Sequence, residues 1–194
     1  SLTSDFRMEL HDPDGNSSKY FSEEKMWTAY ITVMQQFADV IKDMYEEGDV
    51  VWLHGYHLMY LPKLVRQILP NCTIGYSLLA PFPTSELFRV LPRREELLYG
   101  LLSCDLLGFQ SHVHARHFSS TCMRLLGVAS TTTKVNYFGQ AVHINILPLG
   151  VDVKATTLIQ RRISTRSRVM ELKKMFDGIF VFLGVGMPDI DGGI

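Results

Sequence analysis

The 194-residue sequence has little of several features that mark common protein classes. Its three cysteines, Cys72, Cys104 and Cys122, are odd in number and widely spaced, which excludes a disulfide framework and the ligand spacing of a zinc site. No apolar run approaches the roughly 20 residues that span a bilayer, and residues 1–10 lack a basic-then-apolar signal pattern. We therefore expect a cytoplasmic protein with buried, reduced thiols and no membrane partner.

The sequence also lacks an excess of charge of either sign. Its 19 Lys and Arg residues balance 20 Asp and Glu residues, so there is no overall field to recruit nucleic acid or an anionic membrane surface. Acidic residues are concentrated in residues 1–50 and basic residues in residues 154–174, and we interpret these clusters as solvated helix faces. With 46% hydrophobic residues, the chain can bury a substantial core in one domain.

Short apolar runs alternate with segments of helical spacing along most of the chain. Strands are predicted at residues 50–53, 73–79, 104–109 and 179–183, and residues 135–138 and 141–147 predict a hairpin. Helices are predicted at residues 27–45, 58–69, 94–102, 114–126 and, as one basic helix, 155–176. Pro62 is expected in the first turn of its helix and Gly127 just after the end of another. The alternation predicts an α/β fold with a largely parallel sheet. The chain opens on Ser1 and closes at Ile194 soon after an apolar run, so we expect the sheet to be part of a longer protein.

Three of the predicted strands end in polar or glycine-containing corners. Because ligands of open parallel sheets bind at the carboxyl ends of the strands, these corners predict a single cleft. The candidate binding residues of the first two corners are His54, Gly55, Tyr56, His57, Pro81 and Phe82.

Histidines and glycines near these corners allow other interpretations. His54 and His57 could bind a metal ion, but no third ligand lies nearby in the sequence, and hydrogen bonding at the cleft or a structural role fits them better. Residues 184–186 resemble a fragment of a dinucleotide fingerprint, but the third glycine position holds Asp189. We therefore expect no metal and no cofactor.

Two arginines have open assignments. Arg89 and Arg116 could each bind a phosphate group, and each could equally pair with an acid such as Glu86 or Asp105.

Several long motifs, in the same order, resemble those of trehalose-6-phosphate synthases. Residues 51–62 follow the pattern V-W-[IV]-H-D-Y-H-L-M-x-L-P, and residues 74–89 follow I-G-F-F-L-H-x-P-F-P-[ST]-[ST]-E-[IL]-[FY]-R. Residues 147–152 follow L-P-[ILV]-G-[IV]-[DH], and the resemblance runs from about residue 6 to residue 194. Members of this family are retaining glycosyltransferases that join glucose from UDP-glucose to glucose 6-phosphate.

The resemblance implies two facing Rossmann-like domains with an active site between them. Residues 1–178 would be part of the amino-terminal domain, a largely parallel Rossmann-like sheet with helices on both faces. Residues 179–194 would start the linkage to a second domain. The implied partners are a sugar phosphate, a nucleotide sugar and, as a further class, protein subunits of the trehalose pathway.

The sequence departs from the family pattern where the resemblance places the chemistry. Gly55 stands where the family has the aspartate that holds the acceptor sugar, and Leu79 where it has a histidine beside the reacting centre. Met187 and Gly192 replace the arginine and lysine that neutralise the donor phosphates, and Asp191 adds a negative charge beside them.

These departures predict a trehalose-6-phosphate-synthase-like domain in which glucosyl transfer is impaired or lost. An active enzyme with altered sugar chemistry remains one alternative. A non-catalytic regulatory subunit that docks on an active synthase or phosphatase is the other, and it predicts an exposed apolar face, for example on the helix at residues 27–45.

Overall fold

The computed structural model describes residues 23–184. Of these, residues 23–148 belong to one unit and residues 149–184 to a second, smaller one. The elements of the larger unit are α1 (Glu23–Met44), β1 (Val50–His54), α2 (Leu61–Ile68), β2 (Thr73–Leu78), α3 (Ser85–Phe88), α4 (Arg94–Leu101), β3 (Leu106–Phe109), α5 (His112–Leu126), β4 (Lys134–Tyr137) and β5 (Gln140–Ile146). Those of the smaller unit are α6 (Val153–Arg161) and α7 (Ile163–Met175).

The five strands of the larger unit form one sheet in the order β1-β2-β3-β5-β4. β1, β2, β3 and β5 are parallel, and β4 pairs antiparallel with β5. The predicted α/β class, the largely parallel sheet and the hairpin are confirmed. The hairpin joins the sheet through its second strand, so β4 becomes the outer edge.

The helices between the parallel strands cover one face of the sheet. The steps between successive parallel strands, β1 to β2, β2 to β3 and β3 to β5, each move one position in the same direction, and right-handed crossovers then place α2, α4 and α5 on the same side. The strand side chains of that face are buried, among them Leu53, Tyr76 and Leu107. The sequence predicts helices on both faces, and the helices described within residues 23–148 account for one of them.

On the other face, two glycines admit side chains from neighbouring strands. A Cβ atom on Gly75 would lie closer than 3.0 Å to the Trp52 ring, and one on Gly108 would meet Leu147 in the same way. Trp52 remains 41% exposed on this face. Glycine is therefore required at both positions because a neighbouring side chain approaches the backbone closely, and not because the chain turns there.

Local signals place the helix ends where the sequence predicts them. Pro62 lies in the first turn of α2, where its missing N–H costs no hydrogen bond. The side chain of Ser111 caps α5, and Gly127 ends it with a φ of 65°, the left-handed conformation that glycine adopts without strain.

The three cysteines are buried, as predicted. Desolvation on burial raises the pKa of each thiol above its ordinary value. They therefore stay protonated at neutral pH and act as small apolar core residues. No helix within residues 23–184 is long and apolar enough to cross a membrane.

Two predictions for the smaller unit are wrong. The helix predicted at residues 155–176 is interrupted at Arg162, which is extended with a φ of −62° and a ψ of 139°. The strand predicted at residues 179–183 does not form, and Phe180 and Phe182 are 94% and 96% exposed. A strand needs a hydrogen-bonded neighbour, and no described strand pairs with this segment. No described residue of 149–184 is buried, so packing does not hold a single continuous helix.

Candidate functional site

The carboxyl ends of β1 and β2 bring Gly55 and Leu79 to the same edge of the sheet. His54 pairs with Ser77 in the parallel register, and the Gly55 N–H donates to the Ser77 carbonyl at 3.2 Å. Leu79 follows Ser77 by two residues and is 42% exposed. The two positions therefore lie at the same edge of the sheet, and the shared cleft stays a prediction. Their roles in binding stay a prediction.

The first corner is a 3₁₀ turn, Tyr56–Leu58, directly after β1. The rings of Tyr56 and His57 lie 3.9 Å apart, and both His54 and His57 are exposed. The hydroxyl of Tyr30 in α1 donates to the His57 carbonyl at 2.9 Å. Within the described part of the chain, no three His, Cys, Asp or Glu side chains are grouped to hold a metal ion.

The second corner rests on a cluster of aromatic rings. Phe82 is 2% exposed and stacks on Phe88 with ring centroids 5.0 Å apart. Its ring also meets those of Phe109 and Phe118 edge-on, at 6.1 and 5.4 Å. Phe82 was proposed as a binding residue, but its side chain lies in the core and supports the corner from beneath. Pro81, beside it, is exposed and remains available at the surface.

A histidine of α5 fixes the backbone of this corner. The Nδ1 atom of His117 lies 3.1 Å from the Phe82 carbonyl oxygen, so the tautomer with the proton on Nδ1 donates a hydrogen bond to it. On the same helix, Arg124 donates to the hydroxyl of Ser85, at 3.0 Å, and forms an ion pair with Glu86. The path from β2 to α3 is therefore held to α5 at three points.

The structure answers part of the question about arginine partners. Glu86 pairs with Arg124, and Asp105 pairs with Arg66 at 2.8 Å, so neither acid takes Arg89 or Arg116 as its partner. A hydrogen bond from its own backbone N–H, followed by that from Arg124, lowers the pKa of the Glu86 carboxyl.

Arg89 instead lines a shallow groove beside α3. The groove has a volume of about 200 Å³ and is lined by Ser85, Glu86, Arg89, Arg124 and Leu125. The sequence carries no local signal for Arg66 and Arg124, because each pairs with an acid almost 40 residues away.

The predicted donor-phosphate positions, Met187 and Gly192, lie outside the described residues. Their roles stay predictions.

The described residues form a largely parallel α/β sheet with corners directly after β1 and β2, and comparisons with known proteins identify the family of the chain. The profile of glycosyltransferase family 20 matches residues 6–194. The chain therefore belongs to glycosyltransferase family 20. It is 40% identical, over 89% of its length, to the 56 kDa subunit of the UDP-forming alpha,alpha-trehalose-phosphate synthase of Kluyveromyces lactis.

Two solved structures show the same fold. The N-terminal domain of the Candida albicans trehalose-6-phosphate phosphatase covers 92% of the chain with a TM-score of 0.73 and 33% identity. A UDP-forming alpha,alpha-trehalose-phosphate synthase of Burkholderia xenovorans in complex with glucose 6-phosphate covers 78%, with a TM-score of 0.66 and 25% identity. The chain spans only 36% of the Kluyveromyces protein and 37% of the Candida chain.

Proposed function

We propose that this chain is part of a trehalose-6-phosphate-synthase-like protein of trehalose biosynthesis in which glucosyl transfer is impaired or lost. The family reaction moves glucose from UDP-glucose to glucose 6-phosphate, so a nucleotide sugar and a sugar phosphate are the proposed ligands. The proposed location is the cytoplasm. Residues 1–178 would belong to the amino-terminal domain and residues 179–194 would begin the linkage to a second one.

The observation that carries this proposal is the position of Gly55 and Leu79 at one sheet edge. Gly55 offers no side chain where the family pattern has a carboxylate, and Leu79 can neither donate nor accept a hydrogen bond where the pattern has a histidine. The scaffold around them is intact, because the 3₁₀ turn, the buried Phe82 and the α5 anchors are all formed. The substitutions therefore remove chemistry without removing the fold.

The affinity for glucose 6-phosphate tests whether the absence of a carboxylate at position 55 weakens binding of the acceptor sugar. A carboxylate that accepts a sugar hydroxyl contributes about 1.5–3 kcal/mol, so the full-length protein should bind the acceptor about 10- to 100-fold more weakly than the Kluyveromyces synthase. Isothermal titration of both proteins under the same conditions measures this ratio. Equal affinities would contradict the assigned role of position 55.

A regulatory subunit is the second candidate, and one surface favours it. The exposed apolar residues of α1 recur at helical spacing and form a stripe beside its buried face: Met26, Val33, Phe37, Val40 and Met44. The sequence predicts an exposed apolar face on this helix for a docking module. The structural likeness to the amino-terminal domain of a phosphatase, rather than only to synthases, also supports this candidate.

Either a partner protein or other residues of the full-length protein could cover this stripe. The test therefore uses the full-length protein. Phe37→Glu places a charge in the middle of the stripe. A regulatory role predicts that the full-length protein co-purifies with a synthase or phosphatase of the trehalose pathway and that Phe37→Glu abolishes this. Glu47→Lys, a charge change at another exposed position beyond the helix, is the matched control. Failure of the unmodified protein to retain either enzyme would count against the regulatory role.

A further inference from the structure

The backbone at Gly55 has a conformation that only glycine adopts readily. Its φ is 83° and its ψ is 148°, a region in which a Cβ atom clashes with the residue's own backbone. No atom lies within 4 Å of the position that a Cβ would take, so the space around it is open. What excludes a side chain here is therefore the backbone, not a neighbouring group.

Three hydrogen bonds hold this conformation. The Gly55 N–H donates to Ser77 at 3.2 Å, and the Gly55 carbonyl accepts from the Leu58 N–H at 3.2 Å. The same carbonyl accepts from the hydroxyl of Tyr76. Tyr76 is 1% exposed, and its hydroxyl points from the sheet into the corner. Both peptide groups that flank the Gly55 Cα are thus tied to β2.

We propose that Tyr76 is a positioning residue that locks position 55 against any side chain. The hydrogen bond from the Tyr76 hydroxyl holds the Gly55 carbonyl in its orientation, and this orientation maintains the positive φ of Gly55. Because a residue with a side chain is strained at this φ, a carboxylate side chain is disfavoured at position 55. The importance of the lock for sugar binding rests on the proposed function. The lock itself is a property of the fold.

The coupling follows from what a side chain at position 55 would need. A residue with a Cβ lowers its strain by turning φ negative, and this rotation reorients the Gly55 carbonyl. The Tyr76 hydroxyl opposes this rotation, because the rotated carbonyl would no longer accept its hydrogen bond and the buried hydroxyl would lose its partner. Replacing Tyr76 with phenylalanine removes that donor with little change of shape. A side chain at position 55 should then destabilise the protein less.

A double-mutant cycle in the full-length protein measures this coupling. Gly55→Asp alone should lower the melting midpoint by about 2–12 °C, because a residue with a Cβ atom is strained in this backbone conformation. Tyr76→Phe alone should lower it slightly. The double variant should lose clearly less than the sum of the two single losses. Additive losses would overturn the lock.

Two further variants sharpen the cycle. Tyr30→Phe removes another tyrosine hydroxyl from the same turn. That hydroxyl donates to the His57 carbonyl and accepts from the Tyr60 N–H, but it does not contact Gly55, so its loss should add to that of Gly55→Asp without coupling. Gly55→Ala introduces the backbone strain without charge. It should show the same coupling to Tyr76→Phe even where Gly55→Asp fails to fold.

Acceptor binding provides a readout that stability alone does not move. With the lock released, Gly55→Asp with Tyr76→Phe should bind glucose 6-phosphate at least tenfold more tightly than Gly55→Asp does. Coupled melting midpoints without this gain would leave the lock standing and contradict the proposed acceptor role of position 55. The two failures are therefore distinguishable.

Discussion

Gly100→Ala is expected to destabilise the larger unit by about 1–3 kcal/mol, although alanine favours helices by about 1 kcal/mol over glycine. Gly100 lies in α4, where α4 packs against the segment that leads into α2. A Cβ atom at this position would lie 2.7 Å from the Cα of Tyr60 and closer still to the carbonyl oxygen of Met59. Both are backbone atoms, so the new methyl group cannot be accommodated by turning a side chain. Overpacking therefore outweighs the gain in helix propensity.

Urea denaturation of the full-length protein measures this loss, with Gly150→Ala as the control. Gly150 has no neighbour within 4 Å of its Cβ position and needs no positive φ, so its replacement should change stability by less than about 0.5 kcal/mol. Because residues 59 and 60 directly follow the 3₁₀ turn, Gly100→Ala should also disturb the first corner. An unchanged unfolding free energy would show that α4 does not press on this segment.

Asp105→Ala should cost about 2–4 kcal/mol, because one carboxylate serves several donors at the amino edge of the sheet. It accepts from the Arg66 guanidinium at 2.8 Å and from the Ile74 N–H at 2.7 Å. Ile74 is fully buried, so its N–H would be left without a partner. Arg66 also donates to the carbonyls of Pro70, Cys72 and Ser103, and loss of Asp105 leaves that half-buried cation without its counter-charge.

The conservative variant separates the two contributions. Asp105→Asn keeps an oxygen for the Ile74 N–H and loses only the charge, so it should cost less than half as much in the same urea experiment. Glu171→Ala, which removes an acid from the exposed Arg168–Glu171 pair, should cost less than about 0.5 kcal/mol. Equal losses for Asp105→Ala and Glu171→Ala would contradict the structural role of Asp105.

Local sequence patterns predicted most of the larger unit. Buried parallel strands are short and apolar, and their helices end at residues with defined conformations, such as Gly127. The smaller unit was predicted less well because an apolar run such as residues 179–183 specifies a strand only when a neighbour pairs with it. The break at Arg162 has no proline or glycine to signal it.

The site itself stays a prediction, and the contacts that support its two corners were not predicted from the sequence. The order of strands along the chain was enough to bring Gly55 and Leu79 to one edge. The bonds from Tyr76 to Gly55 and from His117 to Phe82 join residues 21 and 35 positions apart, and no periodicity in the sequence reports such contacts. The burial of Phe82 was missed for the same reason, since the rings that enclose it come from three separate elements.

The most direct test of the account is the turnover of the full-length protein, measured as UDP released from UDP-glucose with glucose 6-phosphate as acceptor. Loss of a positioned acid–base group costs roughly 10²–10⁴ in rate, and loss of the acceptor carboxylate adds to it. The rate should therefore be at least about 10³-fold below that of the Kluyveromyces synthase assayed beside it. A rate within tenfold of that synthase would contradict the claim that Gly55 and Leu79 have removed the transfer chemistry.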